Sequence, residues 1–244
     1  MNRKDRLVVA LLIFAIVFVF FYSQTDKAIT GLVVDYETAN VERVIDGDTI
    51  VANGKSVRLL GINTPERGEV YYEEAKEFLG NATFGKEVRL YFTKEKKDKY
   101  GRTLAYIFLG SENINKELIE EGYANYYFPT GKDKYYDDFK EAWQICLNKE
   151  LNLCQKSEFS DCIKINYFNN KKGGVIIENI CDTDINLDGW TIKSEGRKYF
   201  KIKNKNINSN ERLQIYHEEN IFSEKRDSVF IKEEYNKIVS WLEG

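Results

Sequence analysis

Histidine is nearly missing from this chain of 244 residues: His217 is the single one, far along the chain from the acid-rich stretch near residue 46. That excludes histidine-based triads and histidine-rich zinc sites from the first half and leaves carboxylates and arginines to do any chemistry there. A strong charge of one sign is missing too. The net charge is -3 despite 36 Lys and Arg, so no global basic field marks a nucleic-acid binder, and such binding has to come from a local patch. The four cysteines, Cys146, Cys154, Cys162 and Cys181, show no CxxC spacing, which argues against a zinc knuckle or a redox pair. They cluster where the two halves of the chain meet. Two disulfides, in any of three connectivities, and four buried thiols are both open.

One long apolar run is present. Leu7 to Tyr22 is unbroken and follows Arg3, Lys4 and Arg6. The charges favour a cytoplasmic N-terminus, and no small-x-small cleavage site follows Phe20-Phe21-Tyr22, so the run reads as an uncleaved signal anchor with the remainder extracytoplasmic. A signal peptide released on secretion is the rival, because the run is short for a span. The expected layout is a transmembrane anchor at 1–24, a linker at 25–38, a first domain at 39–155 and a second at 160–244.

The first domain is organised around Arg43 to Glu66, RVIDGDTIVANGKSVRLLGINTPE. Arg43–Ile45, Thr49–Val51 and Val57–Ile62 have the β-branched, partly alternating character of half-buried strands. Asp46-Gly47-Asp48 separates the first two, Asn53-Gly54 signals a type I′ hairpin, and Pro65 ends the third. Such pairing places Asp48, Arg58, Asn63 and Glu66 at one end of a small sheet, a set suited to a hard cation and a phosphate. A helix over Tyr71–Leu79, strands over Lys86–Phe92 and Arg102–Leu109, a helix capped by Asn113 with Gly122 at its C′ position, and a helix over Phe139–Leu147 follow. Five strands with helices fit a small closed barrel. Singly, these charges are ordinary turn and surface residues.

Four blocks in order give the residues more meaning: IDGDT at Ile45–Thr49, VRLLGINTPE at Val57–Glu66, DKYGRTLAYI at Asp98–Ile107 and INKELIEEGYA at Ile114–Ala124. Together they resemble the thermonuclease, or staphylococcal nuclease-like, family over about residues 42–151. The resemblance implies an OB-fold five-stranded β-barrel with helices (α+β) and calcium-dependent hydrolysis of DNA or RNA. It makes Asp48, Asn63 and Thr64 the metal ligands, Glu66 the carboxylate that activates water, and Arg58 and Arg102 the grip on the scissile phosphate. Lys99 and Tyr100 fall where a neighbouring phosphate is touched, and Tyr126 or Tyr127 near the nucleotide. Two departures stand out. Asn63 replaces the family's aspartate, which implies weaker calcium binding, and the interval from Glu66 to the next helix is short.

Chemistry supports these roles independently. Fixed guanidinium forks stabilise charge gathering on phosphate oxygens, calcium accepts mixed oxygen ligands, and water needs a carboxylate in reach.

From Asp161 the texture changes to short strand-like runs separated by Gly, Asn and Asp, as expected of an all-β, immunoglobulin-like sandwich. Gly173–Ile192 and DSVFI resemble the lamin-tail domain over about residues 163–241, although Glu178 and Asn179 meet its first cue only in part. Trp190 is expected in the sandwich core and His217 at the surface. No catalytic constellation shows there, so a binding or positioning role toward nucleic acid, envelope or another protein is expected. The reading is a membrane-anchored extracytoplasmic nuclease acting on DNA or RNA. The alternative is an OB-type nucleic-acid-binding module, catalytically weak or silent and tethered to the envelope, which Asn63 keeps open.

Overall fold

In the computed structural model the described residues are 36–169, 174–217, 221–223, 227–233 and 236–244. The expected anchor at 1–24 and most of the linker lie outside them. Among the described residues no helix is long and apolar enough to cross a membrane. The end of the expected linker is already strand: β1 runs Tyr36–Asp46, with Ala39 and Val41 turned into the core.

β2 (Thr49–Ala52) and β3 (Lys55–Leu59) continue as a meander, Thr49 facing Arg58 and Ala52 facing Lys55. Asn53 and Gly54 both take positive φ, 46° and 71°, which is what a two-residue type I′ turn requires. The expected third strand does not reach Ile62 unbroken; it stops at Leu59 and resumes as β4 (Ile62–Asn63) in a different pairing. Helix α1 spans Tyr72–Thr83, longer than the sequence indicated, with Ala75 and Leu79 buried. β5 (Glu87–Tyr91) and β6 (Thr103–Leu109) pair antiparallel, and β6 meets β3 in parallel, closing the five strands β1, β2, β3, β6 and β5 into a barrel. β7 (Glu112–Asn113) leads into α2 (Ile114–Glu120), whose cap is as expected: the Asn113 side chain accepts from the N–H groups of Asn115 and Lys116. β8 (Asn125–Tyr126) pairs with β4, and α3 (Tyr136–Lys149) buries Phe139, Ala142, Trp143, Cys146 and Leu147 on one face. This is the five-stranded mixed barrel with helices expected of an OB-type fold.

The second half is the expected all-β sandwich. One sheet holds β9 (Ile163–Asn169), β10 (Gly174–Asn179) and β15 (Arg212–Tyr216). The other orders β13 (Tyr199–Lys201), β12 (Thr191–Ser194), β16 (Ser228–Lys232) and β17 (Ile238–Glu243). A short pair, β11 (Ile185–Asn186) with β14 (Asn206–Ile207), lies outside both sheets. Trp190, 4% exposed, sits in the sandwich core as expected. His217 is not a bare surface residue; it stacks on Phe200 with ring centroids 4.6 Å apart.

The cysteines form Cys146–Cys154 and Cys162–Cys181. The first ties the end of α3 to the 3-10 turn at Asn152–Cys154, and the second ties the start of β9 to the end of β10, so neither bridges the halves. Apolar packing joins the halves instead. Phe230 and Ile238 belong to the barrel's core cluster, and Phe230 meets Trp143 edge-on at 5.8 Å. The Tyr126 hydroxyl and Ser228 Oγ are 3.1 Å apart across the same seam, and Lys140 pairs with Glu243. Thr38–Gly244 accordingly form one compact unit.

Candidate active site

The closing pair β3–β6 decides where the charged residues meet. Arg58 faces Thr49 on β2 and Leu104 on β6, which draws the Asp46-Gly47-Asp48 turn and the segment before β6 to one end of the barrel. Arg58 is 8% exposed and Asp48 2%, and they form an ion pair of 2.7 Å. The Arg58 guanidinium also donates to the carbonyls of Leu59 (2.6 Å) and Ile62 (3.0 Å), and Thr49 donates to the other Asp48 oxygen. Burial presses the Arg58 pKa below its ordinary value; Asp48 counters this, and the charges of Arg102 and Arg197 add to the depression.

Asn63 and Thr64 arrive from β4. The Asp46–Asp48 turn and Thr64 pack so closely that a Cβ on Gly47 would lie 3.0 Å from Thr64 and 2.8 Å from the Ala75 Cβ. A side chain at residue 47 would separate the two halves of the expected ligand set. The Asp46 carboxyl is pushed above the usual carboxylate range, first by burial and then by the Asp48 charge. Two carboxylates crowded in one recess favour a cation between or beside them.

Among the described residues no group of three or more His, Cys, Asp and Glu is placed to hold a metal. Asp48, the Asn63 amide and Thr64, all buried at this end of the barrel, would nevertheless supply a mixed oxygen set. That donor chemistry fits calcium, which takes carboxylate, amide and carbonyl oxygens together, better than zinc, which prefers nitrogen and sulfur.

Arg102 stands at the entry of β6 and forms a 2.7 Å pair with Asp98, four residues earlier. Burial acts to raise the Asp98 pKa, but hydrogen bonds from the Arg102 side chain and from the N–H groups of Arg102 and Tyr100 outweigh it and hold the carboxyl below its usual range. Lys99 and Tyr100 are exposed on the preceding loop, with the Lys99 Nζ 5.0 Å and the Arg102 guanidinium 5.6 Å from the Tyr100 ring centre. Glu66 lies at the rim, its N–H donating to Glu69, and its carboxylate pairs with Arg197. So Asp48 pairs with Arg58, Arg58 reaches the Ile62 carbonyl next to Asn63, Gly47 meets Thr64, Arg102 lies within electrostatic reach of Arg58, and Glu66 joins through Arg197.

Tyr126 requires a correction. It is 0% exposed, its ring packed against Trp143 and Tyr136 and its hydroxyl beside Ser228, so it is core and not a surface for nucleotide. Its neighbour just past β8 is placed differently. Tyr127 is half-buried and within electrostatic reach of Arg58.

Several residues at this end come from the sandwich, where sequence reasoning placed no site. The turn between β12 and β13, Glu195-Gly196-Arg197, reaches the barrel. Asn125 donates to the Glu195 carbonyl at 2.8 Å, Asn63 to the Gly196 carbonyl at 3.5 Å, and the Tyr127 ring lies where a Cβ on Gly196 would come within 3.4 Å. Beside the turn, a cleft of about 420 Å³ is lined by Asn63, Thr64, Glu69, Lys193, Tyr199 and Lys232 among others. The signal for this in the sequence is only a glycine and an arginine between two strands; its partners are 70 residues away at Asn125 and 133 at Asn63.

Comparison with known proteins fits this geometry. The model of the family described as staphylococcal nuclease homologue matches residues 56–155. A thermonuclease of Staphylococcus intermedius is 38% identical over 130 residues, covering 49% of this chain and 77% of that protein. The chain belongs to the staphylococcal nuclease homologue family. An endonuclease of Haemophilus influenzae is 30% identical over 173 residues, 68% of this nuclease homologue and 89% of that protein. Endonuclease YncB of Bacillus subtilis is 32% identical over 142 residues, 51% of this chain and 67% of that protein. The family match begins inside β3, so β1, β2 and Asp48 precede it, and it ends at residue 155, short of the sandwich.

Proposed function

We propose that this chain is a calcium-dependent nuclease that hydrolyses phosphodiester bonds of DNA, RNA or both. The observation that carries the reading is the buried Asp48–Arg58 pair beside Asn63 and Thr64. A buried ion pair is a weak source of stability, because desolvation consumes most of its attraction. At the end of a barrel, next to a second crowded carboxylate, it is better accounted for by function, the carboxylate serving a cation and the guanidinium a phosphate.

In this reading Asp48, Asn63 and Thr64 hold calcium, which when bound supplies positive charge at the phosphate. Arg58 and Arg102 hold the phosphate oxygens in planar, two-pronged contacts that tighten as charge accumulates in the transition state. Glu66, half-exposed at the rim, orients an attacking water and takes its proton. Lys99 and Tyr100, exposed beside Arg102, meet the neighbouring phosphate. Asn63 supplies an amide oxygen where a carboxylate would give a stronger ligand.

The second half is read as a lamin-tail-like sandwich. The support is its two-sheet architecture and the buried Trp190. The apolar run at 7–22 supports a cell-membrane location with both domains extracytoplasmic, and the two disulfides agree with an oxidising compartment.

The test is cleavage of single-stranded DNA and RNA by the purified chain, with calcium or with a chelator. Calcium-dependent cleavage that disappears in Glu66→Gln and in Arg102→Ala is expected. Binding without cleavage under all conditions would favour the silent OB-type module.

A further inference from the structure

The sandwich sends a charged turn into the candidate site, and the family reading of the barrel gives that turn no task. Its backbone is fixed at both ends. Ser194 N–H donates to the Lys198 carbonyl at 3.1 Å, closing the hairpin, and Asn125 fastens the Glu195 carbonyl to the barrel at 2.8 Å. The sheet behind it is anchored by Phe230 against Trp143. From this rigid base the Arg197 side chain, 52% exposed, extends to the Glu66 carboxylate.

We propose that Arg197 is a third phosphate-binding arginine of the nuclease site, supplied by the sandwich, and that it leaves Glu66 for the backbone of a bound single strand. This rests on the nuclease reading and adds a residue and a domain to it. In the structure each of the three guanidiniums at this end is parked on a carboxylate: Arg58 on Asp48, Arg102 on Asp98 and Arg197 on Glu66. A phosphate offers each a two-pronged contact that a single carboxylate oxygen does not. The Arg197 pair is half-exposed, so solvent screens it and little is lost when it opens.

The site residues fit this arrangement. The Asn63 amide points its Nδ2 at the Gly196 carbonyl, 3.5 Å away. An aspartate has no donor to offer there. The asparagine thus gives up a negative charge at the expected metal ligand and gains a contact with the turn that carries a positive one.

The experiment uses the full chain in detergent and a ten-nucleotide, phosphorothioate-linked single strand as a slowly hydrolysed probe, in chelator, with fluorescence anisotropy over a salt series. Arg197→Ala is expected to weaken binding about tenfold, the loss of one charge-assisted contact, and to lower the salt slope by about 0.7, one phosphate on a single strand. Arg197→Lys should keep the slope. Glu66→Gln should tighten binding by releasing the guanidinium, and that gain should vanish in the double variant with Arg197→Ala, as a coupled pair requires. An unchanged affinity and slope in Arg197→Ala overturn the proposal. So does tighter binding or faster cleavage in Arg197→Ala, which would make the turn an inhibitory clamp. If the wild type binds with the Arg197-dependent slope but never cleaves with calcium, the nuclease reading fails and the assignment of Arg197 stands.

Discussion

Glu195 offers the sharpest test of how the two halves are held together. The residue is 4% exposed, and its carboxylate accepts from Ser228 Oγ at 2.7 Å and from the Phe128 N–H of the barrel. Those hydrogen bonds do not compensate for its burial. Desolvation, with repulsion from Asp227 and Glu243, pushes its pKa from the ordinary 4.5 up to about 7. The sign follows from proton counting. Between about pH 4.5 and 7 the folded protein binds more protons at this site than the unfolded chain, so stability falls as pH rises through that window and levels off above it. At 1.36 kcal/mol per pH unit the loss from this group is about 3 kcal/mol, an upper figure because relaxation and entering water reduce it.

Glu195→Gln removes the titration and keeps an oxygen to accept from Ser228. The variant should be more stable than the parent at pH 8 by about 1 to 3 kcal/mol and indistinguishable from it near pH 5, where the parent carboxyl is protonated. The assay is urea unfolding at half-unit steps from pH 5 to pH 8, followed by tryptophan fluorescence, which reads Trp143 at the seam. The informative quantity is the difference between the two pH profiles, since other groups titrate in both. If the profiles run parallel across the window, the Glu195 carboxylate is charged at no cost and the account of the seam is wrong.

Lys232, 6% exposed in the neighbouring cleft, behaves with the opposite sign: burial, then repulsion from Lys193, lowers its pKa from 10.5 to about 7. The folded state binds fewer protons than the unfolded chain between those values, so stability rises with pH from about 7 to 10.5. Lys232→Met should abolish that rise and raise Tm at pH 7. Gly47→Ala forces a Cβ to 2.8 Å from Ala75 and 3.0 Å from Thr64, which should cost about 1 to 3 kcal/mol and reduce cleavage beyond the loss of folded protein. Asn63→Asp should raise calcium affinity in calorimetry while removing the donor to Gly196; unchanged affinity would count against Asn63 as a ligand. Replacing Cys146 and Cys154 by serine opens a loop of separation 8 and should cost about 2 to 3 kcal/mol in urea unfolding.

The chain shows which parts of such a site a sequence can reveal. The Asn53-Gly54 turn, the Asn113 cap and the α3 stripe were legible because each is a local requirement of backbone geometry or periodicity, met by residues a few positions apart. The Asp48–Arg58 cluster was legible at longer range because one meander and one parallel closure fix it, and those strands announce themselves. Tyr126 was misjudged since its fate depends on which face of a two-residue strand meets the sandwich, and two residues carry no period. Arg197 was invisible for a related reason. Its pair with Glu66 spans more than a hundred residues and exists only because Phe230, inside a strand that reads as ordinary sandwich core, turns outward to Trp143 instead. On β16 every residue is buried, Val229 and Ile231 in the sandwich and Phe230 against the barrel, so the alternation that usually separates core from solvent here separates two cores. An unalternating apolar run inside an antiparallel sheet, here Val229-Phe230-Ile231, is therefore the trace that the second domain leaves of its docking. Phe230→Ala should uncouple Arg197 from Glu66 without touching either, and the salt slope for the single-stranded probe should fall as it does in Arg197→Ala.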